Sequence, residues 1–180
     1  MNYTKMRKTF TNLPERAQDI WFQFCDESCK KQHIGNLMFP YIHGFESYEE
    51  CESPIEKILN FTYDLVLCEE GFPDLFLEPQ YEVAGSKYRV DFAFIADENM
   101  TIDFANNDFK LAIECDGHDF HEKTKEQVAR DNEREYFLKM QGFDVLRFSG
   151  SQIYTKPFRC ARQIYNYIVT KAVKGGNVDG

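Results

Sequence analysis

Between Leu111 and His121 the chain reads Leu-Ala-Ile-Glu-Cys-Asp-Gly-His-Asp-Phe-His. The apolar run has the length and composition of a buried strand, yet it ends in two carboxylates, a glycine and two histidines. A strand alternates its side chains between two faces, so Glu114 and Asp116 share one side and Cys115 takes the other. Burying an unpartnered carboxylate costs several kcal/mol or drives its pKa upward. A divalent cation removes that cost. A further acid, Asp91, stands inside a second apolar strand pattern, Tyr88-Arg89-Val90-Asp91-Phe92-Ala93-Phe94-Ile95. Two neighbouring strands that each turn an acid inward make a metal site suited to phosphodiester chemistry. Gly117 frees the backbone for a tight turn after the second of them.

The remaining elements follow from periodicity and punctuation. Pro14 to about Ile34 reads as a helix with Trp21, Phe22, Phe24, Cys25 and Cys29 on its apolar face, and Gly35 to Tyr48 as a loop. Ser53-Pro54-Ile55-Glu56 has the pattern of a capping box with proline at the first helical position. The helix it opens carries a stripe of Ile55, Ile58, Leu59, Thr62, Leu65 and Val66 and ends at Gly71-Phe72-Pro73. Strands are expected over Leu75–Val83, Lys87–Ala96, Lys110–Asp116 and Phe143–Phe148. The first two form a hairpin across Ala84-Gly85-Ser86. Asp97 to Asp108 is polar and reads as a turn or short extra hairpin. A helix spans about Lys123 to Gln141 with Val128, Tyr136, Phe137, Leu138 and Met140 apolar, Ser149-Gly150-Ser151 is a turn, and a last helix runs from Pro157 to about Val173. Helices on both sides of a mixed sheet give an α/β fold, with a right-handed crossover from Lys110 to Phe148. With 43% hydrophobic residues in 180, a single domain with one sizeable core is expected. Within it, residues 1–50 form an N-terminal helical extension, 51–153 the catalytic core, 154–174 the C-terminal helix and 175–180 a loose tail.

Charge constrains the partner. The formal net charge is -9. Residues 1–116 hold 10 basic and 22 acidic side chains, whereas residues 117–180 hold 11 basic and 8 acidic. A phosphate-binding surface is therefore expected in the C-terminal third, helped by the basic first residues, and tight metal-free, non-specific binding of nucleic acid is not expected. No apolar run reaches the length of a membrane span and no signal-peptide core follows the basic start, which points to a cytoplasmic protein. The six cysteines include no CxxC pair; Cys25, Cys29 and His33 repeat at helical spacing and read as a reduced helix face rather than a soft-metal site.

In order and spacing, these pieces resemble the PD-(D/E)XK nuclease superfamily, in particular the bacterial and phage branch related to very-short-patch-repair endonucleases. The match runs from about Ser53 to Ile153. It rests on Arg89-Val90-Asp91-Phe92, on Ile113-Glu114-Cys115-Asp116-Gly117 with His121, on Asp131 with Arg134, and on Val145-Leu146-Arg147-Phe148. The resemblance implies a restriction-endonuclease-like αβββαβ core with a mixed central sheet flanked by helices, here with an extra N-terminal helix and a C-terminal helix. It also implies a metal-dependent (Mg²⁺ or Mn²⁺) endonuclease that cleaves DNA to a 5′-phosphate and a 3′-hydroxyl, in repair, restriction or mobile-element biology.

On that reading Asp91 and Glu114 are metal ligands, with Glu56, Asp116 or the backbone carbonyl of Cys115 completing the shell. Asp116 stands where the superfamily usually has lysine. Lys123, Lys125 or Arg130, or His118 or His121, would then supply the missing positive charge. His121 also suits a general base or proton shuttle, because histidine titrates near neutrality. Asp131 and Arg134, three apart on a helix, read as support for the site, and Arg147 as a partner of one of these acids. Each residue has a plainer role too: Asp91 paired with Arg89 or Lys87, Glu56 in its capping box, His121 exposed at a helix start. Two other functions compete. One is a catalytically weak nuclease-like domain that binds nucleic acid or a partner protein. The other is a zinc hydrolase using His118 and His121, whose placement at a strand-to-helix turn lacks the geometry of helical zinc-protease motifs. The substrate form, and whether the chain acts alone, as a homodimer or with an accessory protein, is left open by the residues.

Overall fold

The computed structural model describes residues 15–17, 20, 47–71, 74–100, 102–104, 108–116 and 124–173. Its elements run α1 (Pro54–Glu70), β1 (Glu78–Glu82), β2 (Arg89–Ile95), β3 (Lys110–Asp116), α2 (Lys125–Met140), β4 (Phe143–Ser149), α3 (Gly150–Thr155) and α4 (Pro157–Val173). The sheet has the order β1-β2-β3-β4; the first two pairings are antiparallel and β3 runs parallel to β4. A parallel pair needs a crossover, and α2 provides it. β1 is an edge strand, where Pro79, which has no amide hydrogen to donate, is tolerated.

Two cores lie on opposite faces of this sheet. The larger joins Phe92, Phe94, Leu111, Ile113 and Phe148 to Ile58, Leu59 and Leu65 of α1, Ile153 of α3, and Ala161, Ile164 and Ile168 of α4. The smaller joins Val83, Val90, Ala93, Ala112 and Phe143 to Leu138 of α2. The two helices differ accordingly. α1 is buried almost all round, from Ile58 through Cys68, so the expected stripe understates it. α2 shows the reverse: of its apolar residues Val128, Tyr136 and Met140 are exposed, and Leu138 is its buried residue, with Phe137 packed at the margin. An apolar residue on a charge-rich helix does not reveal whether a partner exists for its face, and here the sheet offers only a small patch.

Local signals explain the ends. Ser53 Oγ accepts the amide of Glu56, Pro54 occupies the first turn, and Gly71 closes α1 in the left-handed conformation (φ 79°) that glycine adopts without a Cβ clash. Thr124 and Gln127 cap α2 reciprocally. Ser149 and Gln152 do the same for α3, so the expected turn at Ser149-Gly150-Ser151 instead opens a short helix. Ser47 and Tyr48 are helical rather than loop. β1 begins at Glu78, three residues later than expected, because Leu75 and Leu77 turn into the large core before strand pairing starts, and Tyr63 Oη donates to the Leu75 carbonyl at 2.8 Å. Within the expected polar turn, Phe104 is buried and stacks on Phe109 with centroids 5.8 Å apart. Most of the expected first helix, with Cys25, Cys29 and His33, lies outside the described residues.

Candidate active site

The β2–β3 ladder pairs Ile95 with Lys110 through Phe92 with Ile113, and stops there. One residue further on, Asp91 takes over: its Oδ2 accepts the amide of Cys115 at 2.6 Å. A side-chain carboxylate thus stands in for the backbone acceptor where the strands part. The β1–β2 ladder is interrupted at the same level, between the pairs Pro79–Phe92 and Tyr81–Val90. The residue skipped on β1 is Gln80, with φ 52°, the one described non-glycine residue in the left-handed region. Such a backbone costs on the order of 1 kcal/mol or more and persists where surrounding contacts impose it. Side-chain alternation reverses across this step: Phe92 lies in the large core and Val90 in the small one.

Gln80 explains where Glu56 goes. Its side-chain amide donates to Glu56 Oε2 at 2.6 Å, and the backbone amide of Glu52 donates to the same oxygen at 2.9 Å. The expected capping box is therefore half made: Ser53 caps the helix, but the Glu56 carboxylate turns away from the Ser53 amide. Glu56 is buried, and its charge is one of those that raise the pKa of Asp91. Burial is the larger cause of that rise, and the Cys115 amide opposes it.

Glu114 is 5% exposed. Burial pushes its carboxyl up to about 7, with Asp91 and Asp116 adding to the rise and Arg134 and Arg147 opposing it. Arg134, on α2, places Nη2 2.9 Å from Glu114 Oε1. The same nitrogen donates one of its two hydrogens to the Arg89 carbonyl. The Arg134–Glu114 contact is an ion pair without an aligned hydrogen bond, and Glu114 Oε1 is buried. Asp116 closes β3 opposite Ser149, half-buried, and its charge acts on both Asp91 and Glu114. The Cys115 side chain packs against the large core, its thiol pushed well above the ordinary range by burial first and the neighbouring acids second.

The charges of Glu56 and Asp116 thus act on Asp91, and those of Asp91 and Asp116 on Glu114. Asp91 is not paired with Arg89, which reaches Glu52 at 2.8 Å instead. Arg147 pairs with Glu135 at 3.0 Å, and its charge also acts on Glu114. Lys125 and Arg130 are exposed on α2, where Arg130 Nε donates to the Glu126 carbonyl at 3.4 Å; neither is among the charges acting on Asp91 or Glu114. Asp131 is half-buried on the same helix. Gly117, His118, His121 and Lys123 lie outside the described residues. Gln80 escaped the sequence reading, since a glutamine in an edge strand carries no pattern of its own.

The donor chemistry suits a hard cation. Carboxylate oxygens bind Mg²⁺ or Mn²⁺ in preference to softer metals, and the buried Glu114 oxygen is the kind of atom a cation satisfies. Among the described residues no three His, Cys, Asp or Glu side chains already converge as a ligand set, and Arg134 holds the position nearest Glu114. No described helix is long and apolar enough to cross a membrane.

Comparison with curated proteins and with solved structures returns no match. A family model does match, over residues 66–168, a stretch that includes Asp91, Glu114, Asp116, Asp131, Arg134 and Arg147 but leaves Glu56 outside. That is more than half the chain, and with the four-stranded mixed sheet between helices it shows that this protein belongs to the restriction-endonuclease-like family REase_MTES_1575.

Proposed function

We propose that the protein is a metal-dependent endonuclease that hydrolyses DNA phosphodiester bonds, leaving a 5′-phosphate and a 3′-hydroxyl. The observation that carries this reading is the two acids where β2 and β3 part, Asp91 held by the Cys115 amide and the buried Glu114, with the Asp91 charge acting on Glu114. Asp91 and Glu114 would hold Mg²⁺ or Mn²⁺, with Glu56, Asp116 or the Cys115 carbonyl completing the shell. A bound divalent cation supplies Lewis acidity toward the phosphate and the attacking water. The chain's own part is to fix the carboxylates. The Cys115 amide orients Asp91, while Gln80 and the Glu52 amide orient Glu56. His121 is the residue to take a proton from water, and Asp131 supports the site. Lys123, Lys125 and Arg130, in the C-terminal third where positive charge is concentrated, would bind DNA phosphates. Repair, restriction and mobile-element roles all suit this chemistry, with the chain acting alone, as a homodimer or with an accessory protein.

One observation favours a second reading, a binding domain on a nuclease fold: Glu114 already has a counter-ion in Arg134. Cleavage of supercoiled, linear and single-stranded DNA with Mg²⁺ or Mn²⁺ separates the two. The enzyme is expected to cut only with metal and to lose activity in Asp91→Ala, Glu114→Ala and EDTA. DNA binding that persists in EDTA without cleavage of any form would establish the binding domain instead.

A further inference from the structure

We propose that Arg134 performs the electrostatic task left open by Asp116: it is the resident cation that stabilises the attacked phosphate, and without metal it neutralises Glu114. This rests on the nuclease reading above. Three observations support it. First, Arg134 is paired with Glu114, with Nη2 2.9 Å from Oε1, and also acts on Asp91, whereas Arg147, which acts on Glu114 alone, is paired with Glu135, and Lys125 and Arg130 act on neither acid. Second, its side chain is 30% exposed while that of Glu114 is 7%, so of the two partners the guanidinium is the one that solvent, and with it a phosphate, can reach. Third, Nη2 donates to the Arg89 carbonyl as well, and its contact with Glu114 is an ion pair without an aligned hydrogen bond. The pair is neutralised but not capped, and the Glu114 oxygen keeps a lone pair for a metal.

The guanidinium would serve the phosphate by its charge, a task that a lysine ammonium also performs. A cation aimed at developing charge in a site that excludes water is worth far more than one in solvent. Asp116 cannot do this work, since a carboxylate repels a phosphate unless metal lies between them.

The role predicts that cleavage and metal affinity part company. Arg134→Met keeps the stem and removes the charge. It is expected to lower single-turnover cleavage of DNA by about a hundredfold or more. The dissociation constant for Mn²⁺ alone, measured by calorimetry, should be unchanged or lower, because a competing cation has gone. Arg134→Lys keeps the charge and is expected to stay within about tenfold of wild-type cleavage. An Arg134 that merely braces α2 would lose metal affinity together with cleavage. The proposal is overturned by a smaller loss of cleavage in Arg134→Met, by weaker Mn²⁺ binding in that variant, or by a loss beyond tenfold in Arg134→Lys. If Arg134→Met fails to fold, Arg134→Lys alone decides on the same threshold. A wild-type protein that neither binds Mn²⁺ nor cleaves overturns the nuclease reading and this inference with it; an active wild type with an active Arg134→Met overturns this inference alone.

Discussion

Replacing Glu114 with glutamine should make the metal-free protein more stable at pH 8 and leave it unchanged at low pH. The folded-state pKa of Glu114 lies at about 7, against 4.5 for a free glutamate. Because the folded state holds this proton more tightly than the unfolded one, the group's contribution is fully present below pH 4.5 and is lost as pH rises through about 7. Each unit of difference is worth about 1.4 kcal/mol, so burying the charged carboxylate at pH 8 costs on the order of 3 kcal/mol, even with Arg134 beside it. Glutamine is neutral at every pH and avoids that cost, while Arg134 keeps the Arg89 carbonyl. Asp64, buried in α1 and raised to about 8 by burial, tilts the wild-type profile the same way. The difference between variant and wild type is therefore the quantity to measure. Urea unfolding from pH 4 to 8.5 in EDTA and reductant gives it. The expected gap grows from near zero to about 3 kcal/mol across that range. With Mg²⁺ at pH 8 the order should narrow or reverse, since only the wild type gains by metal linkage. A gap that does not depend on pH, or a variant less stable than wild type at pH 8, would refute the assignment of a strained, buried charge to Glu114.

Other consequences can be checked the same way. Asp91→Asn retains an acceptor for the Cys115 amide and should unfold within about 1 kcal/mol of wild type, whereas Asp91→Ala leaves that amide unpartnered and should cost about 1–3 kcal/mol; urea midpoints compare them, and both should abolish cleavage. Leu138→Ala removes the buried residue that fastens α2 to the small core and is expected to cost about 2–5 kcal/mol in the same experiment. Ser53→Ala deletes the cap of α1 and should cost about 1 kcal/mol without altering cleavage rate under conditions where the protein stays folded.

Much of the architecture was legible because it is written in short-range terms. β3 spans Lys110–Asp116 as its apolar run indicates, α1 starts at its Ser53-Pro54 signal and stops at Gly71, and strand alternation places Cys115 apart from Glu114. The acids at positions 91 and 114 stood out for the same reason, since a charge inside an apolar strand is conspicuous in one dimension. The short helix α3 was also legible in principle: Ser149 and Gln152 have capping-box spacing, which the intervening glycine disguises as a turn.

Tertiary structure decided what depends on position in space. Whether the apolar residues of α2 find a core depends on how much sheet is left uncovered, and Leu138 alone is buried. Long basic side chains reach several acids from one helix, so spacing could not separate Arg130 from Arg134, nor show that Arg147 would choose Glu135. Local residues by themselves determined that this chain forms strands with acids inside them. Only the packed fold decided that β2 and β3 part at Asp91, that Gln80 turns over to hold Glu56, and that the cation beside Glu114 is Arg134. Hydrophobic periodicity and capping act over a few residues, whereas the partner of a buried charge is chosen by whichever elements the whole core brings within about 3–4 Å.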